Sequence, residues 1–258
     1  MTELLEHLRS QTETGRKLLV PYIMGGIPDR VSFADALRAV ERYADVVEIG
    51  LPFSDPLMDG PVIAAAGERA IAAGIGPLDA LDLATEVEAG KPRVAMTYYN
   101  PIHHLGEEAF CTRAAAAGFS GLIVPDLPVE ESGSLRSAAA GQGLAWIPLV
   151  APTSSPERVA SIVATCTGFV YAVSTLGVTG TREALSDRAA KVVAACRAET
   201  DLPVLIGIGV SNAQQATEAA GVADGVVVGS AVVRIVLEEG APAAAEFLGN
   251  LRAALDVL

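Results

Sequence analysis

Eight times along this chain a short β-branched run gives way to a turn rich in Gly, Pro or Asp, with long alanine-rich helical stretches between the runs. Strands separated by helices return in the same direction and pair in parallel, which constrains the fold more than any other feature. The runs are Leu18–Met24, Asp45–Gly50, Arg93–Tyr99, Gly121–Asp126, Leu144–Val150, Phe169–Ser174, Pro203–Gly209 and Gly225–Ser230. Helices are expected over Val31–Tyr43, Pro61–Ala73, Pro77–Ala89, Glu107–Ala117, Pro156–Thr165, Leu185–Glu199 and Asn212–Ala220. Segments such as Gly225-Val-Val-Val-Gly-Ser230 are apolar on both faces, as parallel strands covered by helices or filling a barrel must be. Eight strand–helix units in 258 residues match a closed (β/α)8 TIM barrel, one domain over 1–258. A doubly wound dinucleotide fold would carry G-x-G-x-x-G after its first strand, where this chain has Gly25-Gly26-Ile27-Pro28. Thr2–Ser10 reads as an extra helix before strand one, placed to close the barrel bottom.

A formal charge of −13 argues against nucleic acid or anionic membrane as a partner, since both demand a basic surface. A phosphate can still be held locally by backbone N–H groups. Cys111, Cys166 and Cys196 form no C-x-x-C pair and have no His at metal-ligand spacing; each is assigned to a helix as a small buried thiol, and no metal site is expected. The first twenty residues lack an apolar signal core, and no run of about 18 apolar residues occurs, so a cytoplasmic location is expected.

In this fold the chemistry belongs at the carboxyl ends of the strands and in the loops that follow. Strand two holds the clearest anomaly. Alternation along Asp45-Val-Val-Glu-Ile-Gly50 puts Val46, Glu48 and Gly50 on one face. A carboxylate there is either satisfied by a neighbouring donor or desolvated into a general acid/base near neutral pH. The loop after it, Leu51-Pro-Phe-Ser-Asp-Pro-Leu-Met-Asp-Gly-Pro61, adds Asp55 and Asp59 on a proline-stiffened backbone. Asp59 precedes a helix, and a plain N-terminal cap is its bland reading. Three glycine turns follow late strands: Gly177-Val-Thr-Gly180, Ile208-Gly209-Val-Ser211 and Gly229-Ser230. Together they favour a phosphate cradle, because glycine lets backbone amides approach an anion. His103 and His104 read as a solvated loop pair, and Trp146 as core.

Glu48-Ile-Gly-Leu-Pro-Phe-Ser-Asp-Pro-Leu-Met-Asp-Gly-Pro61 resembles the signature of tryptophan synthase α subunits. Tyr98-Tyr-Asn-Pro-Ile102, Val124-Pro-Asp-Leu-Pro-Val-Glu-Glu131, Gly177-Val-Thr-Gly180, Gly207-Ile-Gly-Val-Ser211 and Gly229-Ser230 extend the resemblance over nearly the whole chain. The resemblance implies a TIM-barrel lyase that splits indole-3-glycerol phosphate into indole and glyceraldehyde 3-phosphate. Glu48 would match the general acid/base, Asp59 the carboxylate on the indole N–H, and Tyr171 a tyrosine near the glycerol chain. Tyr22 and Tyr98 would match aromatics of the indole pocket, Thr179 a residue of a closing loop, and Gly180, Gly209, Gly229 and Ser230 the phosphate cradle. Asp55, Asn100 and Asp126 would match positions of contact or communication with a β subunit in an α2β2 complex. No cofactor is implied for this chain, pyridoxal phosphate belonging to the β partner. The resemblance leaves open a stand-alone lyase releasing free indole, or a degenerate activating subunit. Departures from the common pattern are Tyr22 for Phe, Ile27 for Asp, Met58 for Ala and Ala64 for Gln.

Overall fold

A computed structural model describes residues 1–173 and 182–258. Its strands are β1 (Leu18–Met24), β2 (Val47–Gly50), β3 (Arg93–Met96), β4 (Phe119–Ile123), β5 (Ala145–Trp146), β6 (Leu149–Val150), β7 (Val170–Val173), β8 (Val204–Gly207) and β9 (Gly225–Val228). The helices are α1 (Glu3–Thr12), α2 (Phe33–Glu41), α3 (Pro61–Ala72), α4 (Pro77–Thr85), α5 (Tyr99–Leu105) and α6 (Glu107–Ala116). After them come α7 (Gly133–Gly141), α8 (Pro156–Val163), α9 (Arg182–Arg197), α10 (Ala213–Val222), α11 (Ser230–Glu238) and α12 (Ala241–Leu255).

All strand pairs are parallel, in the order β5-β4-β3-β2-β1-β9-β8-β7-β6. The two ends of that order are neighbours in sequence. What reads as one fifth strand, Leu144–Val150, is split at Ile147-Pro148. Its first half pairs with β4, ending in the bond from the Ile147 N–H to the Leu122 carbonyl. Proline has no N–H to continue that ladder. The Pro148 carbonyl instead accepts from the Tyr171 N–H, and β6 pairs with β7. The barrel is thereby closed, and the expected (β/α)8 architecture is the observed one.

Closure divides the apolar residues into two populations. One lies between sheet and helices; the other fills the barrel, with Leu18, Val46, Val94, Phe169 and Leu205 among its members. Leu4 and Leu8 of α1 join the inner cluster, so the N-terminal helix plugs the bottom as expected. The plug fits because the neighbouring wall is bare: a Cβ at Gly121 or Gly168 would come within 3.2 or 3.3 Å of Leu4 Cδ2. Thr2 caps α1 by accepting from the Leu5 N–H.

Ion pairs at two residues, Arg93 and Asp45, tie the sheet to the surrounding chain. Arg93, at the start of β3, donates to Glu41 at 2.6 Å and to the Ala84 carbonyl at 2.6 Å. Asp45, just before β2, takes Arg16 Nε at 2.8 Å, Arg252 Nη1 at 3.1 Å and the Leu19 N–H at 2.8 Å. It thus joins the first turn of the barrel to its last helix.

Three local expectations are corrected. Strand three was expected to run to Tyr99 but ends at Met96, and Tyr99 opens α5; the aromatic, strand-favouring Tyr98-Tyr99 pair hides a helix start whose amide is capped from another loop. His103 and His104 therefore occupy an exposed last helical turn, not a loop. Cys111 and Cys196 are buried helical thiols, whereas Cys166 is half-buried in the turn after α8. Trp146 is buried in the outer core.

Because Arg252 is itself buried, removing the charge of Asp45 leaves it, among the described residues, only the half-exposed Asp256, at 2.8 Å from its Nε, as counterion. Asp45→Asn should cost about 3–5 kcal/mol of unfolding free energy, read as a lower urea midpoint at unchanged slope. A loss below about 1 kcal/mol, the size of a surface pair, would show that this junction carries little.

Candidate active site

The interior that α1 fills from below stays open above. A cavity of about 370 Å³ lies at the carboxyl ends of the strands, walled by Tyr22, Glu48, Met96, Leu149 and Tyr171 and by Asp59 from the loop after β2. Gly207, Gly209, Gly229 and Ser230 complete it on the side of β8 and β9. The volume suits a small ligand, and the walls mix apolar surface with a few converging polar groups.

Glu48 is held by the ladder itself, opposite Tyr22 of β1 and Val94 of β3. It is 1% exposed, and its Oε2 has no hydrogen-bond partner among the described residues. The alternative of an interior glutamate satisfied by a neighbouring donor is not what this geometry shows. Burial, with the Asp59 carboxylate beside it, pushes the Glu48 carboxyl up to about 8.

Asp59 is placed by bonds instead of by a strand. It does not cap α3, whose N-cap is Gly60. Its Oδ1 accepts from the Tyr98 hydroxyl at 3.0 Å, while that hydroxyl accepts the Met58 N–H at 3.0 Å. The Tyr98 ring stacks on Phe53 at 5.3 Å. Burial raises the Asp59 carboxyl, and the Tyr98 hydrogen bond works against that rise. Tyr98, expected as a wall of the ring pocket, instead stands behind Asp59 and is absent from the cavity lining.

Two phenols lie flat against glycines of the adjacent strand. The Tyr22 ring covers Gly50, where a Cβ would overlap its hydroxyl, and a Cβ at Gly207 would come within 2.9 Å of Tyr171 Oη. Burial raises both phenols well above their usual range, with the Asp59 and then the Glu48 charge adding at Tyr22 and the Glu48 charge at Tyr171, so both stay neutral donors. Gly209 has φ of +75° with open space around it, and Gly229 caps α11, leaving Ser230 in the first helical turn facing the cavity. Backbone amides and the start of a helix at that end suit an anion. Gly177, Thr179 and Gly180 lie outside the described residues.

Asp55, Asn100 and Asp126 are exposed at the same end of the barrel. Asp55 accepts from Ser54, and Asp126 accepts from the Tyr99 N–H with both oxygens, at 2.9 and 3.2 Å. Leu57 (89% exposed), Met58 and Val31 add apolar surface to that rim. Among the described residues no cluster of three or more His, Cys, Asp or Glu is arranged to hold a metal ion, and no helix is long and apolar enough to cross a membrane.

A closed barrel that buries two carboxylates around a hollow, with glycine backbone and a helix start beyond them, is the arrangement of an enzyme of the α/β-barrel class. The sequence profile described as "Tryptophan synthase alpha chain" matches residues 8–253. A tryptophan synthase alpha chain of Streptomyces avermitilis is 47% identical over 238 residues, covering 91% of this chain and 86% of that one. One from Gloeobacter violaceus is 48% identical, covering 93% and 90%. A solved structure of Mycobacterium tuberculosis tryptophan synthase superposes with a TM-score of 0.92 at 41% identity, covering 98% of both chains. The chain belongs to the tryptophan synthase alpha chain family.

The position of Glu48 has a consequence for stability. Its pKa is raised in the fold, so the native state holds a proton that the unfolded chain gives up above about 4.5. The stabilisation is complete below that pH and is lost as pH rises through about 8. The wild-type Tm should therefore fall relative to that of Glu48→Gln between about pH 5 and about pH 9. Parallel melting curves would mean that Glu48 ionises freely in the fold.

Proposed function

We propose that Glu48 and Asp59 divide the acid–base work of a carbon–carbon lyase of tryptophan biosynthesis, cleaving indole-3-glycerol phosphate. The reading is carried by the two carboxylates sharing one cavity with environments that set them apart. Glu48, protonated near neutral pH, donates to indole C3. The positive charge that develops on the ring is stabilised by Asp59, which accepts the indole N–H. The C3–C3′ bond breaks with its electron pair passing to the ring, and the carbinol carbon becomes the aldehyde as its hydroxyl loses a proton. Glu48, now a carboxylate, accepts that proton and is restored. The two transfers cancel, leaving indole and glyceraldehyde 3-phosphate. Tyr171 lies beside the glycerol chain, and the rim of Gly209, Gly229 and Ser230 receives the phosphate. All of these groups belong to this chain, and pyridoxal phosphate would serve only the partner's step.

The exposed Asp55, Asn100 and Asp126, with the apolar Leu57 and Met58 beside them, support docking of a β subunit on this end of the barrel, as an α2β2 complex of the cytoplasm. The relatives' name as alpha chains supports the same reading.

Glu48→Gln keeps the volume but not the proton, and should lower kcat about a hundredfold or more. The assay follows indole released from indole-3-glycerol phosphate, and near-normal turnover would remove Glu48 from the mechanism. Adding a purified tryptophan synthase β subunit should raise the wild-type rate; an unchanged rate with no complex on gel filtration would sink the partnered reading.

A further inference from the structure

Asp59 is the less constrained member of the acid pair, since it sits on a loop, and the bonds that hold it trace outward to the surface. Its Oδ1 is fixed by the Tyr98 hydroxyl, which also fixes the Met58 N–H. Tyr98 is the N-cap of α5, and the next residue, Tyr99, starts that helix. No side chain of α5's own leading residue caps it. The Tyr99 N–H is instead taken by both carboxylate oxygens of Asp126, which comes from the loop after β4. The Tyr99 hydroxyl is anchored in turn on Glu107 at 2.9 Å. Side-chain bonds thus join the loops after β2, β3 and β4 in series.

We propose that Asp126 is a positioning residue for the reaction within the isolated chain: by capping α5 it fixes the Tyr98 phenol, and through Tyr98 it fixes Asp59 in the cavity. The inference rests on the reading of Asp59 as the carboxylate that stabilises charge on the substrate ring. Asp126 is itself absent from the cavity lining, to which its neighbour Pro125 belongs, and its carboxylate reaches Asp59 through this series. Without the cap, the start of α5 frays, since an unpaired first-turn N–H loses its partner. The Tyr98 ring then shifts against Phe53, and its hydroxyl no longer holds Asp59 and Met58 together. Asp59 stabilises charge that appears only in the transition state, so the loss falls on kcat while KM changes little.

The test measures kinetics and amide hydrogen exchange on the full chain without partner. Asp126→Ala should lower kcat about three- to tenfold, the range expected for losing one cap, and Asp126→Asn, which keeps one acceptor oxygen, should fall between it and wild type. Tyr98→Phe, which retains the ring stack, should lower kcat at least as far, and Asp126→Ala added to it should cost little more. Exchange at the Met58 amide should quicken in both Asp126→Ala and Tyr98→Phe, although Asp126 makes no bond to Met58. A purely local cap would quicken Tyr99 alone, and that result, or wild-type kcat in Asp126→Ala, overturns the proposal. Asp59→Asn separates the two levels. If it abolishes turnover while Asp126→Ala is normal, only the series fails; if Asp59→Asn itself turns over normally, the reading beneath it fails as well.

Discussion

Closure of the sheet is the constraint from which the rest of the molecule follows. A parallel sheet of this size would leave two edges of unpaired N–H and C=O groups unless its ends met. They meet because residues 145–150 serve as the last strand of one side and the first of the other, changing partners at Pro148. A closed barrel has an inside, and an inside must be filled. Below, it is filled by apolar residues and by Leu4 and Leu8 entering from α1. Above, the same inward positions carry Tyr22, Glu48 and Tyr171 around a space that no side chain occupies. The cavity is therefore the upper half of the barrel's own core, left open by the choice of residues.

That origin explains why the two acids differ. Glu48 inherits the rigidity and dryness of a central strand, and its unpartnered Oε2 is the cost of putting a carboxyl where a valine would pack. The protonated form is the one the fold favours, which suits a group that must give a proton first. Asp59 comes from a loop and is held by the Tyr98 hydroxyl, a donor that favours the charged form. Burial raises both acids, but only Asp59 has a hydrogen-bond donor working against the rise, and that difference in support gives the difference in chemistry. A fixed donor beside an adjustable anion also leaves room for the loop to answer to its surroundings.

The strands and the inward face of Glu48 were legible because they depend on local order: period-two alternation and β-branched runs act within a few residues. The plug helix was legible for the same reason. What local order could not show were bonds between distant loops. Asp59 looked like a helix cap because Gly-Pro follows it, and only its approach to Tyr98, 39 positions away, removes it from that role. Tyr99 looked like strand because its amide finds its cap in Asp126, 27 positions on. The family resemblance put Tyr98 in the pocket wall, yet the ring is spent on Phe53 and the hydroxyl on Asp59. The splitting of the fifth strand had a visible signal in Pro148, since proline cannot serve both ladders.

The glycines at the strand ends show how one residue type carries two meanings that spacing alone does not separate. Tyr22 is in register with Glu48, and its ring crosses to Gly50, two residues further along β2. Tyr171 is in register with Leu205, and its ring crosses to Gly207, again two residues further along β8. In both cases the phenol leans toward the carboxyl end of the neighbouring strand and lies on a wall without a Cβ. A methyl group at either glycine would lift the ring into the cavity, where the substrate must sit. Gly50 and Gly207 are thus needed to keep tyrosines out of the way, whereas Gly209, at φ of +75° with empty space around it, bends the backbone and leaves the approach open. The shape of the hollow is set by where these strands lack side chains as much as by the side chains they carry.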